Sequence, residues 1–237
     1  MDEIRNIRAV LFDVDDTLFD RKGAQGLVID IIAERLPEIF QRLEMEQIRG
    51  AFEASDLITT RDFYSGAPSE GLRDKRSRLF LRTLGVCEDY ADTITDIYVR
   101  EYPTVNSPMP GARNVVGELS RKYTTGVISN GFPDVQYTKL ETIGLKQKFS
   151  CIVLSEEIGI RKPDPGIFLH TVSLLKIKPE ECLYVGDSYT NDVTGAIRAG
   201  MTACWFNREQ VKPANGEIKP DFEIKDLTEI TAILEAN

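Results

Sequence analysis

From about residue 108 onward, short apolar runs alternate with segments of helical spacing, and that alternation leaves few folds open. "TTGVISN", "FSCIVLS", "ECLYVGD" and "MTACWFN" have strand length and are rich in β-branched and aromatic residues. "GARNVVGELSRKY", "DVQYTKLETIGL", "PDPGIFLHTVSLLKI" and "TNDVTGAIRAG" separate them, with apolar residues at helical intervals. Strands joined by helices of this length pair in parallel, because the crossover helix returns the chain to the same end of the sheet. The sequence therefore predicts an α/β chain with a doubly wound parallel sheet. "DFEI" adds a last edge strand before a helix in "DLTEITAILEA". Residues 7–13, "IRAVLFD", read as a further buried strand of the same sheet.

Residues 20–105 break the alternation. "GLVIDIIAERLPEIFQRLEMEQIRGAFEAS", "EGLRDKRSRLFLRTLG" and "CEDYADTITDIYVREY" all carry helical periodicity and no convincing strand. The expected organisation is an α/β core built from residues 1–19 and 106–237, with a helical domain of residues 20–105 inserted after the first strand. The chain returns through "YPTVNSPMPG", whose three prolines suit a hinge or linker.

In an open α/β sheet, ligands bind outside the carboxyl ends of the strands, where the strand order reverses. Four polar clusters fall beside such ends: Asp13-Val14-Asp15-Asp16-Thr17, Ser129-Asn130-Gly131, Arg161-Lys162-Pro163-Asp164-Pro165, and Gly186-Asp187-Ser188 with Asn191-Asp192. Each has a plain structural reading. Ser129-Asn130-Gly131 suits a turn, Asp164-Pro165 an N-cap with proline at the first helical position, and Asn191 or Asp192 another cap. Together they gather carboxylates, a lysine and a hydroxyl around one crevice.

That set has a specific chemistry. Asp13 and Asp187 can hold a hard divalent cation such as Mg²⁺, which takes oxygen ligands and uses few carboxylates. Asp13 can attack phosphorus to form an acyl-phosphate. Lys162 offsets the remaining charge, while Ser129 and backbone N–H groups near Asn130 hold phosphate oxygens. If strand geometry continues past Asp13, Asp15 points to the same side and can protonate the leaving oxygen, then deprotonate water. A zinc site is disfavoured: the chain has one histidine, His170, and its four cysteines form no CxxC pair. Cys151, Cys182 and Cys204 read as buried thiols in a reducing compartment, and His170 as structural or surface.

These clusters, in this order, resemble the haloacid dehalogenase superfamily of hydrolases. The resemblance covers residues 7–19 and 109–237, and the inserted helices resemble that family's helical, C1-type cap. It implies that Asp13 is nucleophile and metal ligand, and that Asp15 is general acid and base with its backbone carbonyl on the metal. Thr17 supports the loop and Ser129 binds the phosphoryl group, aided by the Asn130 amide. Lys162 stabilises nucleophile and phosphoryl charge, and Asp187 ligates Mg²⁺. Asp192 orients the metal's waters or Lys162. Dehalogenases of the family lack an acid at the Asp15 position, so its presence favours phosphoryl transfer to water. Asp16 is assigned no catalytic role. "SNGFPDVQYTKLETIGL", "SEEIGIRKPDPGIF" and "TACWFN" resemble the pyrimidine 5′-nucleotidase branch. The expected activity is Mg²⁺-dependent hydrolysis of a small phosphomonoester, with a nucleoside 5′-monophosphate as one candidate. A phosphomutase and a receiver-like phospho-acceptor are the alternatives. Phe19, Arg61, Phe63 and Tyr64 are candidates to meet the substrate, though packing or exposure also explains each.

The net charge of −9, with no stretch of concentrated Lys and Arg, argues against a nucleic acid polymer as partner. No apolar run is long enough to span a bilayer, and "MDEIRNIRAV" lacks the apolar segment of a signal peptide. The expectation is a cytoplasmic monomer or homodimer that acts on a small phosphorylated metabolite away from membranes.

Overall fold

The computed structural model describes residues 6–213 and 218–235. Contacts divide the chain into two compact units, one of Met1–Arg21 with Asn106–Asn237 and the other of Lys22–Val105. In chain order the elements are β1 (Ala9–Phe12), α1 (Arg21–Arg35), α2 (Pro37–Phe40), α3 (Met45–Tyr64), α4 (Leu72–Thr83), α5 (Ala91–Glu101) and α6 (Ala112–Leu119). There follow β2 (Thr124–Ser129), α7 (Pro133–Thr142), β3 (Cys151–Leu154), α8 (Ser155–Ile158), α9 (Pro165–Leu175), β4 (Cys182–Gly186), α10 (Thr194–Arg198), β5 (Thr202–Phe206), β6 (Phe222–Ile224) and α11 (Glu229–Glu235).

The first unit is an α/β core. Among the described residues its six strands are all parallel, in the order β3-β2-β1-β4-β5-β6. Every residue of β1 and β4 is buried, as central parallel strands covered on both faces must be. The chain runs outward from β1 to β3, then returns to the other side of β1 for β4, so the strand order reverses beside β1. Apolar side chains of β1, β4, β5 and α9 fill one core, in which Phe168 meets Tyr184 edge-on with ring centres 5.0 Å apart.

The second unit contains helices and turns alone. Its interior is an aromatic stack: Phe40 on Phe80 at 5.8 Å, Phe80 against Phe52 at 5.7 Å, Phe52 on Tyr98 at 5.3 Å, and Tyr98 on Tyr102 at 4.9 Å. The Arg76 guanidinium lies 3.9 Å from the centre of the Tyr98 ring and pairs with Asp56 at 3.1 Å. The rings lower the cost of burying that cation.

Three local readings change. "TNDVTGAIRAG" is not a plain helix from its start: Tyr189–Val193 forms one wide turn before α10, and Ser188 caps it by accepting from the Asn191 N–H. Neither Asn191 nor Asp192 is the cap. Cys182 and Cys204 are buried, but Cys151 is only half-buried because it opens β3, an edge strand. Cys87 and His170 are exposed. Asp164 does cap α9, with Pro165 in the first turn and the Gly166 N–H donating to its Oδ1 at 2.7 Å.

Candidate active site

The ends of β1, β2 and β4 and the loop before α9 deliver their polar residues to one place. β1 stops at Phe12, but the Asp13 N–H still donates to the Val185 carbonyl at 2.9 Å, so the neighbouring strand fixes where Asp13 leaves the sheet. Lys162 comes from the loop before α9. Its Nζ donates to Asp13 Oδ1 and Asp192 Oδ1, both at 2.6 Å, and to the Tyr184 hydroxyl at 3.0 Å. All four side chains are buried. Asn130 sets the lysine's backbone: it accepts from Lys162 N–H at 2.8 Å and donates to Lys162 O at 3.0 Å.

Asp192 reaches this cluster because residue 186 is glycine. A Cβ there would lie 2.4 Å from Asp192 Cγ. Asp192 is then fully engaged, with Lys162 and Tyr184 on Oδ1 and the Ser188 N–H on Oδ2 at 2.9 Å. Asp187 is held through its backbone, its N–H donating to Thr17 Oγ1 at 3.0 Å and its carbonyl accepting from the Trp205 indole at 2.8 Å. Its carboxylate receives only a long contact from Thr17, 3.4 Å, among the described residues.

Asp15 lies apart from that cluster in its bonding. Because β1 ends at Phe12, strand alternation does not carry to it. A turn through Asp16, at φ 56°, places it instead, and Asp16 accepts from the Arg21 N–H at 3.0 Å. The Asp15 carboxylate takes Lys139 Nζ on Oδ1 at 2.5 Å and Gln136 Nε2 on Oδ2 at 2.7 Å. Gln136 Nε2 also donates to Ser129 Oγ at 3.0 Å.

The electrostatics follow from crowding like charges in a dry place. Burial pushes the Asp13 carboxyl up to about 7; Lys162 opposes the rise, and Asp192 and Asp15 add to it. Burial and the charges of Asp192, Asp13 and Asp16 hold Asp187 well above the usual carboxylate range. Burial works against the Lys162 charge too, but Asp13 and Asp192 outweigh it and keep the ammonium protonated far up the scale. Asp15 moves the other way: desolvation is outweighed by Lys139 and Arg21, so its carboxyl sits below the usual value.

Oxygens of Asp13, Asp187 and Asp192 all lie within 4.8 Å of one another. When ionised, these three carboxylates exceed the one lysine among them by two negative charges. A hard divalent cation answers that excess, and an all-oxygen donor set suits Mg²⁺ or Mn²⁺. Asp192 has no oxygen to spare, whereas Asp13 and Asp187 do.

Sequence reasoning picked out Asp13, Asp15, Thr17, Ser129, Asn130, Lys162, Asp187 and Asp192, and the structure gathers them in the first unit. It missed Gln136, Lys139 and Tyr184. Tyr184 lies in the strand "ECLYVGD" and Gln136 and Lys139 in the helical segment "DVQYTKLETIGL", where no pattern set them apart. The sole hint was that "PDVQYTKLET" has few apolar residues to fill an inner face. Of the four residues offered as substrate contacts, Phe19 and Phe63 are buried, and Arg61 and Tyr64 are exposed.

A family model described as haloacid dehalogenase-like hydrolase matches residues 7–200. The glyceraldehyde 3-phosphate phosphatase of Methanopyrus kandleri is 32% identical, over 96% of this chain and 97% of its own. The pyrimidine 5′-nucleotidase YjjG of Escherichia coli is 28% identical, over 95% and 96%. Among solved structures, the putative HAD-hydrolase YfnB of Bacillus subtilis bound to magnesium superposes with a TM-score of 0.84. It is 27% identical and covers 97% of this chain and 99% of its own.

Proposed function

Because the chain belongs to the haloacid dehalogenase-like hydrolases, we propose that it hydrolyses a small phosphomonoester by way of an aspartyl-phosphate on Asp13. The observation that carries this reading is Lys162, buried and bonded at 2.6 Å to both Asp13 and Asp192 beside the Asp187 carboxylate. The buried ammonium is repaid when the acids beside it are ionised, and the ionised form of Asp13 is the one that attacks phosphorus.

Asp13 adds its oxygen to phosphorus as the bond to the leaving oxygen breaks. Asp15, held ionised by Lys139 and Arg21, hands that oxygen a proton drawn from the Lys139 ammonium bonded to its Oδ1. It then takes a proton from water as the water oxygen joins phosphorus and the Asp13–phosphorus bond breaks. Lys162 and the Ser129 hydroxyl face the charge on the phosphoryl oxygens, with the Asn130 amide beside them. Asp192, Tyr184 and Asn130 hold Lys162 in place, and Thr17 holds Asp187. A divalent cation held by the Asp13 and Asp187 carboxylates and the Asp15 carbonyl would supply charge neutralisation and polarise the phosphate.

The relatives' names divide between a triose phosphate and pyrimidine nucleotides, so the substrate class is set no more finely than a small phosphorylated metabolite. Phosphate release from glyceraldehyde 3-phosphate, pyrimidine and purine monophosphates and sugar phosphates, with Mg²⁺ and with chelator, tests the reading. Asp13→Asn should abolish release while circular dichroism stays unchanged. Substantial residual turnover in that variant would sink the mechanism.

A further inference from the structure

We propose that Lys139 and Gln136, neighbours on one face of α7, are positioning residues that fix the Asp15 carboxylate for proton transfer. The inference rests on the reading of Asp15 as the group that protonates the leaving oxygen. Asp15 lies beyond the end of β1, in an isolated bridge with Phe19 and outside the sheet, and its side chain is 29% exposed. Left alone, such a carboxylate samples several rotamers. Here both oxygens are taken by one helix: Lys139 on Oδ1 at 2.5 Å and Gln136 on Oδ2 at 2.7 Å. Two donors on two oxygens fix both side-chain torsions.

The surroundings are built to keep these donors in place. Lys139 is 1% exposed and its ammonium lies 4.8 Å from the centre of the Phe19 ring, so it has given up water for Asp15 and an aromatic face. Gln136 is also 1% exposed, and its Oε1 has no hydrogen-bond partner among the described residues. A buried acceptor left so costs about 1–3 kcal/mol. Turning the amide over would present Oε1 to the Asp15 carboxylate instead, which repels it. The amide therefore gives up its acceptor in order to use its amino group twice, on Asp15 and on Ser129 Oγ. Gly131 makes the room: a Cβ there would lie 1.9 Å from Gln136 Nε2. One amide thus sets the spacing between the phosphate-binding hydroxyl and the proton-transferring acid.

A purely structural staple between α7 and the loop would weaken all substrates alike. A positioning role acts through the leaving group, because an alkoxide needs a proton to depart and p-nitrophenolate does not. The test compares Lys139→Met on the alkyl phosphomonoester the enzyme hydrolyses fastest and on p-nitrophenyl phosphate in a single turnover. On the alkyl substrate kcat should fall about 100-fold, the scale of general acid catalysis, with KM nearly unchanged. Single-turnover p-nitrophenolate release should fall by less than about 5-fold, and adding Lys139→Met to Asp15→Asn should cost no more than about 2-fold on the alkyl substrate. Equal losses on both substrates, or full additivity with Asp15→Asn, would overturn the proposal. Lys139→Leu, which likewise removes the ammonium and leaves Gln136 on Ser129, is scored by the same criteria should Lys139→Met fail to fold. Activity surviving in Asp13→Asn would instead refute the site reading itself, whatever Lys139 does.

Discussion

Replacing Lys162 with methionine removes the one ammonium among three acids and keeps most of its bulk. Asp192 retains Tyr184 and the Ser188 N–H, but Asp13 loses the lysine that bonds it at 2.6 Å. Two charges no more than 4.8 Å apart repel by at least about 3–4 kcal/mol at an effective dielectric of about 20. Breaking a buried ion pair on one side costs about 3–5 kcal/mol. The cost depends on pH. Asp13 stands at about 7 in the folded chain against 3.8 for an unperturbed carboxyl. Between those values the folded form binds more protons than the unfolded one, so the stability carried by protonated Asp13 is full below about pH 4 and is lost as pH rises through about 7. Lys162 is the group that holds this window down, and its loss moves the window up. Urea unfolding with chelator should therefore show Lys162→Met about 3–5 kcal/mol less stable near pH 8 and much less affected near pH 5. Excess Mg²⁺ should return part of the loss near pH 8 by neutralising the same acids. An equal deficit at both pH values, indifferent to Mg²⁺, would mean that the lysine merely fills space, and the charge argument would fall.

Gly186→Ala should push Asp192 off Lys162, since the new Cβ would sit 2.4 Å from Asp192 Cγ; thermal melting should show a loss of about 1–3 kcal/mol, with turnover down at least about 10-fold. Arg76→Met should destabilise the helical unit by about 2–4 kcal/mol, because it removes the guanidinium that pairs with Asp56 and lies over the Tyr98 ring, and near-ultraviolet circular dichroism during urea unfolding would report it. Asp164→Ala should cost about 1 kcal/mol, the worth of an N-cap, and leave kcat unchanged, which separates the structural acid of the Lys162–Pro165 loop from its neighbouring lysine.

Much of this was legible in the residues because parallel strands advertise themselves. β1, β2, β4 and β5 are apolar runs that end abruptly, and in an open α/β sheet the polar residues just past such ends fall in one crevice. Asp13, Ser129 and Asp187 could be named for that reason alone, and Lys162 from the polar loop before α9 that completes the set. What was not legible acts between distant segments. Asn130 was named for its amide, yet it works through its side chain on the Lys162 backbone, a contact across 32 residues with no local signature. Tyr184 hides in an apolar strand, where only its hydroxyl is polar. Gln136 and Lys139 look like the wet side of a helix, and nothing in their spacing says that this side faces inward. The position of Asp15 was reasoned from strand alternation, whereas a left-handed residue, Asp16, turns the chain there.

The central place of β1 also has a consequence in time. As the chain leaves the ribosome, the strand bearing Asp13 emerges before anything it must pair with. Lys162 follows 149 residues later, and Asp187 meets Thr17 across 170. The helical unit is complete in the chain before β2 appears, so its aromatic interior can condense while β1 still waits. The chemistry of the site thus arrives late: a nascent chain that stops short of β4 carries Asp13 and Lys162 without Tyr184, Asp187 and Asp192.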